Sequence, residues 1–138
     1  MPKYRRGSAP LPRPTPVTKP FWDATREHRL LLQRCPAGHV FYYARTHCPE
    51  CLSNDLEWIE ASGRGRLYSY TVARRPQSPH FADDVPYIIG AVILDEGPRL
   101  TSLIVETAPE DVVIDGPVEV VWDDEASDEL SMPYFRPV

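Results

Sequence analysis

Three cysteines and one histidine carry the most direct chemistry in this chain. Cys35-Pro36-Ala37-Gly38-His39 is followed eight residues later by Cys48-Pro49-Glu50-Cys51, and all three cysteines of the protein lie in this stretch. A Cys-x-x-Cys turn aims two thiolates at one point, and soft donors at this spacing suit a tetrahedral zinc ion. The second knuckle is regular. In the first, Gly38 stands where a second cysteine would complete the pair, and His39 follows with an imidazole nitrogen. Cys35, His39, Cys48 and Cys51 make a four-donor set with no open position, the arrangement of a structural rather than a catalytic metal. His47 adjoins Cys48 and would have to fold back to reach the same ion. The competing reading is a site that has decayed and holds no metal. An ion here would stabilise a small module outright, because its donors are not assembled in the unfolded chain.

The other titratable residues form no recognisable catalytic set. The chain has no Gly-x-Ser-x-Gly elbow, no phosphate-cradling glycine loop and no His-Glu-x-x-His. His80, with Asp83 or Asp84, is the one acid–base pairing to weigh, and unchanged activity on replacing His80 by alanine would remove it. A lone loop histidine is more often solvated. Arg74 and Arg75 open the long loop 74–86. Two arginines suit a compact phosphate, as on a nucleotide-bearing carrier, better than a long polyanion. Tyr68, Tyr70, Phe81, Tyr87 and Trp22 are the aromatics that could line a groove, with Tyr68 and Tyr70 on one face of a strand.

The elements that would position these residues are mainly β. Residues 1–19 hold five of the fifteen basic residues, no acid and several prolines, and read as a disordered or extended basic tail. Residues 20–34 read as an N-terminal helix, capped by Thr18 or Asp23 with Pro20 in its first turn, although Leu30–Gln33 could already be ribbon strand. Residues 35–55 form the zinc ribbon. From 56 to 138, strands are expected at 56–60, 66–73, 87–94, 99–106 and 117–122, which suggests a five-stranded closed barrel. Residues 123–131 carry five acids in nine positions and read as a solvated turn with no role.

Charge narrows the partners. Ten basic residues remain beyond the first twenty, against twenty acidic ones, and none of the ten is lysine. Nucleic-acid backbones demand many cationic contacts, so an acidic body is poorly suited to them. Three clustered thiols suit a reducing compartment. No apolar run is long enough to span a bilayer, and the N-terminus lacks the apolar core of a signal peptide. The expectation is a cytoplasmic protein without a membrane partner.

Several short motifs, in this order, resemble the DUF35 family. They are Leu32-Gln33-Arg34-Cys35, Cys48-Pro49-Glu50-Cys51, Gly63-Arg64-Gly65-Arg66-Leu67-Tyr68-Ser69-Tyr70-Thr71, Pro86-Tyr87, Leu94-Asp95-Glu96-Gly97-Pro98-Arg99-Leu100 and Phe135-Arg136-Pro137. The likeness covers about residues 20–138 and departs from the family where Gly38 replaces a cysteine. It implies an N-terminal helix, a rubredoxin-like zinc ribbon and an OB-fold barrel. It also implies a non-catalytic accessory subunit of an acyl-CoA thiolase- or aldolase-type complex, in lipid or steroid metabolism. Such a subunit would bind structural zinc, help hold or channel acyl-CoA, and pair as a hetero-oligomer with a thiolase-like or lipid-transfer-protein-like enzyme. Arg74, Arg75, Phe81 and Tyr87, in or beside the long loop, are the candidate substrate-binding residues. The alternative is a single-stranded nucleic-acid-binding OB module, whose affinity would fall steeply with salt in a gel shift.

Overall fold

A computed structural model describes residues 10–138. The first nine residues of the expected tail lie outside the described residues. One helix, α1 (Lys19–Thr25), leads into β1 (Leu31–Arg34), β2 (Val40–Phe41) and β3 (Glu57–Glu60). These strands form a sheet in the order β2-β1-β3. Five further strands follow: β4 (Arg64–Ala73), β5 (Tyr87–Leu94), β6 (Arg99–Ile104), β7 (Pro117–Asp123) and β8 (Met132–Pro137). They close a barrel in the order β4-β5-β6-β8-β7. Among the described residues, no helix is long and apolar enough to cross a membrane.

The helix is shorter than expected. It starts after Thr18, with Pro20 in its first turn, but Thr18 makes no side-chain cap. It stops at Thr25 rather than running to residue 34, because the chain turns through His28 at φ +57. The reason lies in Leu30-Leu31-Leu32. Three consecutive leucines cannot share one stripe of a short helix, whereas a strand covered on both faces buries them all. In β1, Leu31 pairs with Glu60 and Leu32 with Ile59. Gln33, also buried, donates from Nε2 to the Arg45 carbonyl and accepts the Arg45 N–H on Oε1, tying β1 to the second half of the ribbon.

The barrel has five strands, but not the five expected. Glu57–Glu60 joins the ribbon sheet through β1 instead. The fifth barrel strand is β8, which pairs with β7 from Val118↔Pro137 to Asp123↔Met132. Pro133 and Pro137 argue against a strand in sequence, because proline lacks the ladder donor. They are tolerated because β8 meets β6 at a single registered pair, Ile104↔Phe135, so that side behaves as an edge. Ser102 Oγ–H donates to the Pro133 carbonyl at 2.7 Å across the gap.

Inside the barrel, Leu67, Ile88, Val92, Leu94, Leu100, Ile104, Val118 and Phe135 form the core. Alternation along β5 buries Ile88, Gly90, Val92 and Leu94 and leaves Tyr87, Ile89, Ala91 and Ile93 on the outer face, half covered. Gly90 is required by close packing, since a Cβ there would lie 2.6 Å from Ile104 and 2.8 Å from Leu67.

The acidic run 123–131 is not the plain solvated turn its composition suggests. It straps the end of α1 to the barrel. Asp124 accepts the Ser131 hydroxyl at 2.6 Å and lies 2.8 Å from His28 Nε2. The Arg26 guanidinium donates to the carbonyls of Asp124 and Ser127, and the Ser131 N–H donates to Thr25 Oγ1. His28 stacks on Trp122 at 5.4 Å. Burial alone would raise the Asp124 carboxyl, but the Ser131 and His28 hydrogen bonds outweigh it and hold its pKa below the usual range. A lowered native pKa means stability that is present above about pH 4 and lost as pH falls through the native value. Asp124→Asn should therefore lower the urea midpoint at pH 6 and leave it unchanged at pH 2, compared with wild type at the same pH. An equal loss at both values would contradict the carboxylate's role.

Candidate metal centre and an adjoining aromatic cavity

The two knuckles fold by local hydrogen bonds. At the end of β1, the Gly38 N–H donates to the Cys35 carbonyl and the Cys35 N–H to the His39 carbonyl. Gly38 sits at φ +90, a left-handed conformation that glycine adopts freely. Having no side chain, it turns the chain so that His39 meets the thiols. In the second knuckle, the Leu52 N–H donates to the Cys48 carbonyl and the Glu50 N–H to Cys48 Sγ.

The structure brings all four sequence-selected donors together, within 4.8 Å of one another. His39 Nδ1 lies 3.3 Å from Cys35 Sγ and 3.7 Å from Cys48 Sγ, and Cys51 Sγ lies 3.7 Å from Cys35 Sγ. With metal–sulfur and metal–nitrogen bonds of about 2.3 and 2.0 Å, a tetrahedral zinc site has S···S edges of about 3.8 Å and S···N edges of about 3.5 Å. The residues fit the ion. Cys35 and Cys48 are buried and Cys51 is exposed. His47 points elsewhere, 2.9 Å from the Thr46 hydroxyl, and is exposed.

The electrostatics favour a thiolate. Burial alone would raise Cys35, but hydrogen bonds from the His39 backbone, the Cys51 thiol and the Ala37 backbone bring it down to about 6. Hydrogen bonding to Cys35 and Cys48 raises His39 in turn. Glu50 Oε2 lies 3.6 Å from His39 Nε2, so Nδ1 faces the thiols and Nε2 faces a carboxylate.

A cavity of about 340 Å³ opens beside the ribbon. Trp22 of α1, Tyr42 after β2, Phe81 of the long loop, Tyr87 of β5, Leu103 of β6 and Met132 of β8 all line it. The Phe81 and Tyr87 rings lie 5.7 Å apart, and Phe21 holds Trp22 and Tyr42 edge-on at 4.9 and 5.6 Å. The outer face of the second and third strands of an OB barrel, with the loop before them, is the usual ligand surface of that fold. The expected Phe81 and Tyr87 are in the lining. Arg74 and Arg75 are exposed at the end of β4 and are not part of it. A bulge between Leu67 and Ser69 breaks the alternation that would set Tyr68 and Tyr70 side by side, and neither ring lines the cavity. Instead, the Arg99 guanidinium lies 5.3 Å from the Tyr68 ring centre. His80 is exposed in a short 3-10 turn, Pro79–Phe81. Tyr42 and Met132 are cavity residues that no local pattern marks, since α1, the ribbon and β8 meet only in the folded chain.

Comparison with known proteins decides the family. A family model described as the ChsH2 rubredoxin-like zinc ribbon domain matches residues 22–57, and one described as the ChsH2 C-terminal OB-fold domain matches residues 58–123. A DUF35 domain-containing scaffold protein of Methanothermobacter thermautotrophicus is 42% identical over 110 residues, which span 78% of this chain and 82% of that protein. This chain belongs to the DUF35 family. Another relative of this DUF35 chain is a probable enoyl-CoA hydratase alpha subunit of Thermomonospora curvata, 42% identical over 119 residues. That match covers 85% of this chain but only 36% of the hydratase subunit, about a third of its length. Among solved structures, an Ltp2-ChsH2(DUF35) aldolase matches with a TM-score of 0.80 and 38% identity, over 92% of this chain and 98% of the other.

Proposed function

We propose that this DUF35 chain is a non-catalytic accessory subunit of an acyl-CoA thiolase- or aldolase-type complex. Its ribbon and helix dock on the enzyme subunit, and its barrel and long loop shelter the acyl-pantetheine portion of the substrate. The observation that carries this reading is the aromatic cavity on the outer face of β5 and β6, in a chain similar to an Ltp2-ChsH2(DUF35) aldolase component. A wall of Trp22, Tyr42, Phe81 and Tyr87 suits an apolar chain, and few titratable groups border it. Arg74 and Arg75, exposed at the loop entrance, suit the phosphates at the other end of coenzyme A. The catalytic residues belong to the partner.

In this reading Cys35, His39, Cys48 and Cys51 hold zinc. The ion supplies a fixed tetrahedral junction, and four protein donors leave no position for water or substrate. Three cysteines with no disulfide among them suit the reducing cytoplasm. The acidic surface is a poor match for nucleic acid.

Calorimetric titration of the purified complex with decanoyl-CoA and with coenzyme A tests the cavity. The complex should bind decanoyl-CoA more tightly than coenzyme A. The double variant Phe81→Ala, Tyr87→Ala should weaken decanoyl-CoA about tenfold, as expected for loss of about 1.4 kcal/mol of aromatic contact, and leave coenzyme A unchanged. Arg74→Ala, Arg75→Ala should weaken both ligands. Unaltered decanoyl-CoA affinity in the aromatic variant would remove the cavity from the acyl path.

A further inference from the structure

We propose that Cys51 is a peroxide-reactive modification site, and that its oxidation exchanges the metal clasp for a Cys35–Cys51 disulfide. The proposal rests on the zinc reading for its metal step and on geometry for its sulfur step. The three thiols are not equivalent: Cys35 and Cys48 are buried, and Cys51 is exposed. Oxidation is selective for sulfur that an oxidant in solution can reach, and among these three it is Cys51 that faces solvent. Cys51 Sγ also has a resolving partner at hand, Cys35 Sγ at 3.7 Å. A disulfide bond is about 2.05 Å long, so the two sulfurs close by less than about 2 Å.

The step balances with a peroxide as oxidant. Cys51 sulfur attacks one peroxide oxygen; an S–O bond forms as the O–O bond breaks, and the departing hydroxide takes a proton to become water. Cys51 is oxidised by two electrons to a sulfenic acid and the peroxide is reduced. Cys35 sulfur then attacks Cys51 sulfur; the S–S bond forms, the S–O bond breaks, and the second oxygen leaves as water after taking a proton. His39 in place of a fourth cysteine gives the chain an odd thiol count, so Cys48 stays reduced. Cys48 and His39 alone are too few donors to keep zinc in a closed site. The new bond joins the same two knuckles that the ion joined, so the ribbon stays shut while the metal leaves.

Zinc content is measured first on the reduced full-length protein, then zinc release on adding hydrogen peroxide is followed with a chromogenic chelator. Cleavage after Arg34, Arg45 and Arg64 puts Cys35 on one peptide and Cys48 with Cys51 on another. The expected result is one zinc released per disulfide formed, the two peptides linked through Cys51, Cys48 still alkylatable, and reversal by a dithiol plus zinc. An internal Cys48–Cys51 disulfide, sulfinic or sulfonic acid without a disulfide, or intact thiols after zinc release would overturn the proposal. Cys51→Ser, if it folds, should form no linked peptide; Cys35–Cys48 linkage in wild type would also count against it. Protein lacking zinc before treatment would remove the metal reading, while the peptide map would still decide the Cys51 assignment.

Discussion

Replacing Cys48 by serine is expected to strip the chain of zinc and unfold the ribbon while the barrel stays folded. Cys48 is fully buried and sits against His39 Nδ1, so serine leaves three donors and an unsatisfied corner. Structural zinc in small modules contributes on the order of 10–16 kcal/mol of apparent binding energy, which is folding energy where no site pre-exists. The ribbon has little to replace it. β2 pairs with β1 at only two registered positions, Gln33↔Phe41 and Arg34↔Val40. The barrel, in contrast, has its own closed ladder of five strands, with Leu67, Val92, Leu94 and Phe135 almost fully buried. Zinc measured by mass spectrometry should drop from about one per chain to under about a tenth, and trypsin should cut at Arg34 and Arg45 about a hundredfold faster. A ribbon as protected in Cys48→Ser as in wild type would mean that the metal is not what holds it.

Phe135→Ala should be the most damaging single change in the barrel. Phe135 is fully buried, pairs with Val120 in β7, and forms the one registered pair of β8 with β6. Its carbonyl also accepts the Val105 N–H at 2.8 Å. Truncating a buried phenylalanine costs about 3–5 kcal/mol, a large share of the 5–15 kcal/mol that holds a typical domain. The melting temperature should fall by roughly 10–20 °C. Leu52→Ala is the matching control: Leu52 is 73% exposed, and its truncation should be nearly silent. Equal effects of the two changes would mean that the barrel is not closed through β8.

The metal donors are legible in the amino-acid sequence because their geometry is local. A Cys-x-x-Cys turn and a Gly38-His39 turn are each settled within five residues. The β5–β6 hairpin is legible for a similar reason, since an unbroken apolar run meets Asp95-Glu96-Gly97-Pro98 and returns. What the sequence hides is set by distant parts of the chain. Leu30–Leu32 could extend a helix or start a strand, and pairing with β3, nearly thirty residues on, decides for the strand. Glu57–Glu60 reads from the sequence as the first barrel strand, and only its pairing with β1 places it in the ribbon sheet. β8 is masked by Pro133 and Pro137, whose missing donors are harmless because β8 meets β6 at a single registered pair, Ile104↔Phe135. The acidic strap looks solvated because its partners, Thr25, Arg26 and His28, lie about a hundred residues earlier. Phe81 and Tyr87 stand out by their place in the long loop, whereas Tyr42 and Met132 join them only through the docking of α1 and the ribbon on the barrel.

The decisive measurement is acyl-CoA turnover by this chain alone, by a thiolase-like enzyme subunit alone, and by the two co-expressed and purified together, with the mass of each sample read by light scattering. The account predicts a stoichiometric hetero-oligomer, no turnover by this chain in isolation, and full activity only in the assembly. Acyl-CoA cleavage by the isolated chain, or an enzyme that is fully active and never binds it, would contradict the account.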